Sequence, residues 1–120
     1  MRRGNRAVGA VYEEKAARYL QERGYTIRAR NYHDRWGELD IVAEQNGVLV
    51  IVEVKYRSDT RFGGPLEAVT PQKQRRICRA AMGYYAACGF GENRACRFDV
   101  IGITGDGTIQ HIENAFPFQL

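Results

Sequence analysis

The sequence predicts an α/β fold in which a mixed central sheet is flanked by helices, and three observations predict it. Asn46-Gly47 divides two apolar, strand-like runs, the strongest short-range hairpin signal because both residues accept positive φ. Two stretches of helical periodicity stand apart, one ending at Gly24 and one opening at Thr70-Pro71. Strand-like segments follow the second helix, so the order reads α-β-β-β-α-β-β and implies a crossover within one sheet.

The elements follow in order. From about Asn5 to Arg23, Ala10, Glu13, Ala17 and Leu20 fall on one helical stripe, and Gly24 suits the position just past a helix end. Tyr25 to Asn31 reads as a first strand, with Tyr25, Ile27 and Ala29 alternating, and a polar loop is expected from Tyr32 to Gly37. Glu38 to Glu44 and Val48 to Arg57 form the hairpin. The second of these is apolar on both faces until Glu53, as in a strand covered on both sides. Ser58 to Val69 contains Gly63-Gly64-Pro65 and reads as a loop. Thr70 as N-cap and Pro71 at the first helical position open the second helix. Its stripe is Ile77, Ala80 or Ala81, Tyr84 and Cys88, and it stops at Gly89. Ala95 to Ile103 is a fourth strand, and Thr108 to Glu113 a short fifth one after Asp106-Gly107.

With no repeat, low-complexity tract or linker, residues 1–120 form one domain with a basic N-terminal tail over about residues 1–5. A hydrophobic share of 44% and a charged share of 27% are those of an ordinary globular chain. No apolar run approaches the ~20 residues of a membrane span. The basic start, Met1 to Arg6, lacks the apolar region of a secretory signal. Cys78, Cys88 and Cys96 are an odd number without CxxC spacing. They argue against a disulfide framework or zinc site and for a reducing, cytoplasmic setting, with Cys78 and Cys88 packing as small apolar residues. His33 and His111 read as structural or surface residues.

The net charge of +4 says little by itself, but its distribution says more. Lys55, Arg57, Arg61, Lys73, Arg75, Arg76 and Arg79 face only Asp59 and Glu67 in the same stretch. That is the footprint of a nucleic-acid partner. Lys15, Lys55 and Lys73 are the sole lysines among eighteen basic residues, so a lysine at 55 marks a place for a compact point charge.

A two-residue turn fixes the hairpin register. Gln45 faces Val48, and stepping outward Asp40 faces Glu53 and Glu38 faces Lys55. Two facing carboxylates among apolar neighbours need a compensating cation, and a hard divalent ion prefers carboxylate oxygens. Asp40 and Glu53 are therefore the expected ligands, with the Val54 carbonyl as a further oxygen; the alternative is a surface polar row neutralised by Lys55. Lys55 shares a face with Glu53 and can orient an attacking water and stabilise phosphate charge, or bridge Glu38, or both. Glu13, an acid within an apolar stripe, is either a further ligand or a stripe-edge residue reaching water; Glu38 could share or tune the same ion. Lys73, in the first turn of the second helix, opposes the helix dipole unless an anion sits near, and a nucleic-acid phosphate would serve; the alternative is a solvated lysine. Arg75, Arg76 and Arg79 are solvated helix residues or a phosphate-tracking face. Asp99 is expected to pair with an arginine.

These residues resemble a known family. Gly37-Glu38-Leu39-Asp40-Ile41-Val42, Val52-Glu53-Val54-Lys55-Tyr56-Arg57, Phe62-Gly63-Gly64-Pro65-Leu66-Glu67-Ala68-Val69-Thr70, Lys73 and Arg97-Phe98-Asp99-Val100 are similar to the bacterial YraN-like proteins. So is the first helix, with Gly9, Glu13, Ala16, Ala17, Tyr19, Leu20 and Gly24-Tyr25, and the resemblance runs from about Asn5 to Phe116. That family is considered a branch of the PD-(D/E)xK nucleases, similar to archaeal Holliday-junction resolvases. The resemblance implies a restriction-endonuclease-like α-β-β-β-α-β core, with Asp40, Glu53 and Lys55 in the D…ExK positions and Glu13 as the helix acid. Tyr12 departs from the family, which usually has glycine before that glutamate.

The expected function is a Mg²⁺- or Mn²⁺-dependent endonuclease hydrolysing phosphodiester bonds in DNA, branched or structured DNA included. The alternative is a non-catalytic nucleic-acid-binding protein that keeps the fold. No membrane partner is expected, and a homodimer is compatible with the reading.

Overall fold

The structure, a computed structural model, describes residues 2–57, 64–91 and 94–120, with side chains from Gly9 onward. Its elements are α1 (Arg2–Glu22), β1 (Thr26–Asp34), β2 (Gly37–Gln45), β3 (Val48–Arg57), a 3₁₀ turn (Pro65–Ala68), α2 (Pro71–Cys88), β4 (Cys96–Thr104) and β5 (Ile109–Phe116). The backbone of α1 begins at Arg2, so the basic stretch expected as a tail is continuous with the helix.

The five strands form one sheet in the order β1-β2-β3-β4-β5. All neighbours run antiparallel except β3 and β4, which are parallel and joined through α2. The sheet is therefore mixed, and its α-β-β-β-α-β order is that of a restriction-endonuclease-like core.

Alternation along β3 separates two apolar clusters. Leu49 and Ile51 pack with Ile77, Cys78, Ala80, Ala81 and Tyr84 of α2. Val50 and Val52 pack with Ala16, Ala17 and Leu20 of α1. Because side chains two apart share a face, the two helices lie on opposite faces of the sheet. Gly102 in β4 is a point of close approach, where an added Cβ would collide with the Pro65 ring, so the 3₁₀ turn lies directly on the sheet.

Helix ends follow the sequence. The Thr70 side chain accepts from the Lys73 amide, Pro71 sits in the first turn, and Gly89 closes α2 in the left-handed conformation. Gly24 has φ of 89° and releases the chain from α1 into β1. Two stripe residues differ from expectation. Cys88 is exposed because α2 ends there, and Ala10 is exposed because the buried stripe of α1 runs through Ala16, Ala17 and Leu20.

The segment expected as a polar loop after β1 is a tight turn instead. β1 continues to Asp34, and its Oδ1 accepts from the backbone amides of Trp36 and Gly37. This side-chain turn replaces the Asn-Gly or Gly-Gly chemistry a two-residue hairpin usually carries, which hides it from composition. β5 likewise extends three residues beyond Glu113, to Phe116.

Candidate functional site

The β2–β3 ladder has the expected register, from Gln45↔Val48 to Ile41↔Val52. It stops there, one step before the acids. Beyond it the Val54 amide donates to Asp40 Oδ2 at 2.9 Å, so a side chain takes up the backbone donor where the strands part. The same residue breaks the alternation of β2. Leu39 packs in the α2 cluster and Ile41, two positions on, in the α1 cluster.

This fork opens a cleft of about 500 Å³. Gly9, Tyr12 and Glu13 of α1 line one side and Lys73, Arg76 and Ile77 of α2 the other, with Gly37, Glu38, Asp40 and Glu53 to Tyr56 between them. Helices on opposite faces reach one recess because the sheet divides at that point.

The acids converge. Glu53 is only 6% exposed, and its carboxyl lies within hydrogen-bonding reach of Asp40. Burial and then the Glu53 charge push Asp40 up to about 8, against the Val54 amide, which favours the ionised form. Glu13 is half-buried, and its Oε1 has no hydrogen-bond partner among the described residues. Burial raises its carboxyl, with Asn31 and Arg30 opposing and Glu38 and Glu53 reinforcing.

Two ammonium groups meet these acids at the same oxygen. Lys55 Nζ is 3.3 Å and Lys73 Nζ 3.2 Å from Glu53 Oε2. Burial lowers the Lys55 ammonium, Glu53 opposes this and Lys73 adds to it. Lys73, read from the sequence as a solvated lysine or a partner for an anion near the helix end, meets Glu53 there.

Glu38 does not face Lys55 in the ladder. The strands have already separated, and Glu38 is paired with His33 of β1, Oε2 to Nε2 at 2.8 Å, with both side chains mostly exposed. It lines the rim of the cleft. Arg76 lines the cleft and is exposed, Arg79 is exposed, and Arg75 and Arg57 are half-buried. Arg61 lies outside the described residues. Among the described residues, no group of three or more His, Cys, Asp and Glu is gathered as a ready metal cage.

The sequence reading overlooked Tyr12 and Tyr56 as cleft residues. Their rings stack across the cleft wall with centroids 4.2 Å apart and planes at 18°. The available signal was an aromatic residue beside each charged site residue, Glu13 and Lys55. Asp99 is paired as expected. Fully buried, it accepts from Arg97 Nε at 3.1 Å, Asn114 N at 3.0 Å and His111 Nε2 at 2.7 Å, and the other His111 nitrogen meets the Tyr19 hydroxyl.

Residues 12–103, which contain the fork, α2 and the part of α1 from Tyr12 onward, match the model of a family described as "Uncharacterised protein family UPF0102". The chain belongs to UPF0102. The relatives agree along nearly their whole lengths. A UPF0102 protein of Lachnoclostridium phytofermentans is 51% identical over 108 residues, 90% of this chain and 91% of the relative. One from Nitrosococcus oceani is 43% identical over 115 residues, 93% of each chain. One from Phocaeicola vulgatus is 48% identical over 111 residues, 90% of each. UPF0102 is the YraN-like family that the motifs resemble, so membership extends across the chain rather than resting on one short pattern.

Proposed function

We propose that the chain is a metal-dependent nuclease that hydrolyses phosphodiester bonds in DNA, with branched or structured DNA as its substrate class. The observation that carries this reading is the convergence of Asp40 and Glu53 with Lys55 and Lys73 at the fork of the sheet.

The donor set fits a hard divalent cation, Mg²⁺ or Mn²⁺. Its atoms are carboxylate oxygens, burial and then the Glu53 charge hold Asp40 up to about 8, and Glu13 Oε1 is buried without a hydrogen-bond partner among the described residues. Asp40 and Glu53 would hold the ion, with Glu13 and the Val54 carbonyl as further oxygens. Bound there, a divalent ion supplies Lewis acidity toward a phosphoryl oxygen and lowers the pKa of water. Lys55, held against Glu53, orients the attacking water and stabilises charge on the phosphate. A bond forms from the water oxygen to phosphorus as the bond to the leaving sugar oxygen breaks; the attacking water gives up a proton to solvent and the leaving oxygen takes one from solvent. Lys73, Arg76 and Arg79 hold the flanking backbone, with Arg57, Arg61 and Arg75 as further contacts. The free cysteines support a reducing compartment, the cytoplasm, for this activity.

Purified protein with Mg²⁺ or Mn²⁺ is expected to cut members of a panel of branched and linear DNAs. Asp40→Asn and Lys55→Ala are each expected to lower the rate by about 100-fold or more. Equal cleavage by wild type and both variants would sink the mechanism.

A second reading, a nucleic-acid binder that does not cut, is favoured by one observation: two lysines already neutralise Glu53. It expects equal DNA affinity in chelator and in Mg²⁺, with no cleavage in either.

A further inference from the structure

The cleft carries a feature that the chemistry of the acids and lysines does not use. Tyr12 precedes Glu13 in α1, and Tyr56 follows Lys55 in β3. Both rings line the cleft and stack with centroids 4.2 Å apart and planes at 18°. Tyr12 is half-buried, packed against the α1-side cluster, while Tyr56 stacked on it is 42% exposed. Leaving an aromatic surface this open at the end of a strand forgoes the burial that normally fixes such rings.

The neighbours give the platform a direction. Lys55 is the adjacent residue, and Lys73 and Arg76 line the same recess. An aromatic face beside cations is the arrangement that takes a nucleotide whole, with the base stacked on the ring and the phosphate held by the charges. The volume of about 500 Å³ lies within the range of pockets that enclose a small organic ligand. A base within a continuous duplex has both faces covered by its neighbours and cannot stack on a protein ring without leaving the helix.

We propose that the Tyr12–Tyr56 pair is a stacking platform for an unpaired nucleobase. The site is thereby directed to nucleic acid with unstacked nucleotides, such as single strands, flaps and branch points. This deepens the proposed function, since it rests on nucleic acid entering the same cleft.

The test is binding in chelator, where cutting plays no part. A single-stranded oligonucleotide containing 2-aminopurine and a blunt duplex of the same sequence are titrated with wild type, Tyr56→Phe and Tyr56→Ala. Wild type is expected to prefer the single strand and to quench the 2-aminopurine. Tyr56→Ala is expected to lose about tenfold in single-strand affinity, together with the quench, while duplex affinity stays unchanged. Tyr56→Phe, which keeps the ring, is expected to behave as wild type. Melting of each variant, followed by the fluorescence of Trp36, checks that the fold is kept. Unchanged single-strand affinity in Tyr56→Ala, or an equal loss on duplex and single strand, would overturn the inference. The two proposals fail separately. Tyrosine-dependent stacking without cleavage under any metal keeps this inference and removes the nuclease. Equal cleavage of blunt duplex and branched DNA, unaffected by Tyr56→Ala, keeps the nuclease and removes this inference.

Discussion

Asp40 has two duties at the fork, and they pull in opposite directions. Its Oδ2 accepts the Val54 amide, which favours the charged form, while burial and the Glu53 carboxyl disfavour it. Asparagine keeps an acceptor for the amide and removes the charge. Asp40→Asn is therefore expected to raise the thermal midpoint of the metal-free protein by a few degrees at neutral pH. Added Mg²⁺ should raise the midpoint of the wild type and leave that of the variant unmoved. A variant that melts lower than wild type in chelator would contradict this balance of forces. How far the sequence reached is visible at the same residue. The Asn-Gly turn gives the register down to Ile41↔Val52, since local turn geometry sets it. The next step depends on a side chain capturing a backbone amide, which no turn rule encodes. The Glu38–Lys55 pairing was lost for that reason, and Glu38 went to His33.

At the scale of elements, Asp99 joins three of them: β4, which carries it and Arg97; β5, through His111 and Asn114; and α1, through Tyr19 on the far side of His111. Burial alone would raise its carboxyl, but the bonds from His111, Arg97 and Asn114 outweigh this and hold it below the usual carboxylate range. A depressed folded pKa contributes stability above the unfolded value of about 4 and loses it as pH falls through the folded value. Asp99→Ala is expected to cost about 3 kcal/mol in urea unfolding, since it removes the buried acceptor shared by Arg97, His111 and the Asn114 amide. Asp99→Asn should lose stability less steeply on acidification than wild type. An Asp99→Ala protein as stable as wild type would show that the three elements are held by packing alone. The arginine partner was legible from an acid inside a strand beside Arg97. The histidine was not, because the bend that brings β5 back to β4 sets that contact.

At the scale of the whole molecule, the layering was legible because β3 is apolar on both faces, and only a sheet covered twice has use for such a strand. The position of the cleft was less so, since it needs two helices from opposite faces to meet one opening. The excess of positive charge gathers on the α2 side of that opening, at Lys73 and Arg76. Nucleic-acid affinity is accordingly expected to fall with salt, with a log–log slope of roughly −0.7 to −0.9 per phosphate contacted, and Arg76→Ala should reduce the slope. Affinity independent of ionic strength would argue against phosphate contact.

The fork lies in the later half of β3, toward the carboxyl end of the parallel β3–β4 pair, while α1 and α2 roof the two broad sides of the sheet. Entry is therefore end-on. A guest arriving broadside meets helices, and one that arrives tip-first finds the acids. On the proposed reading, long rigid cylinders are expected to fit such a portal poorly, whereas a strand that bends, ends or splays is expected to lead with a single link of its chain.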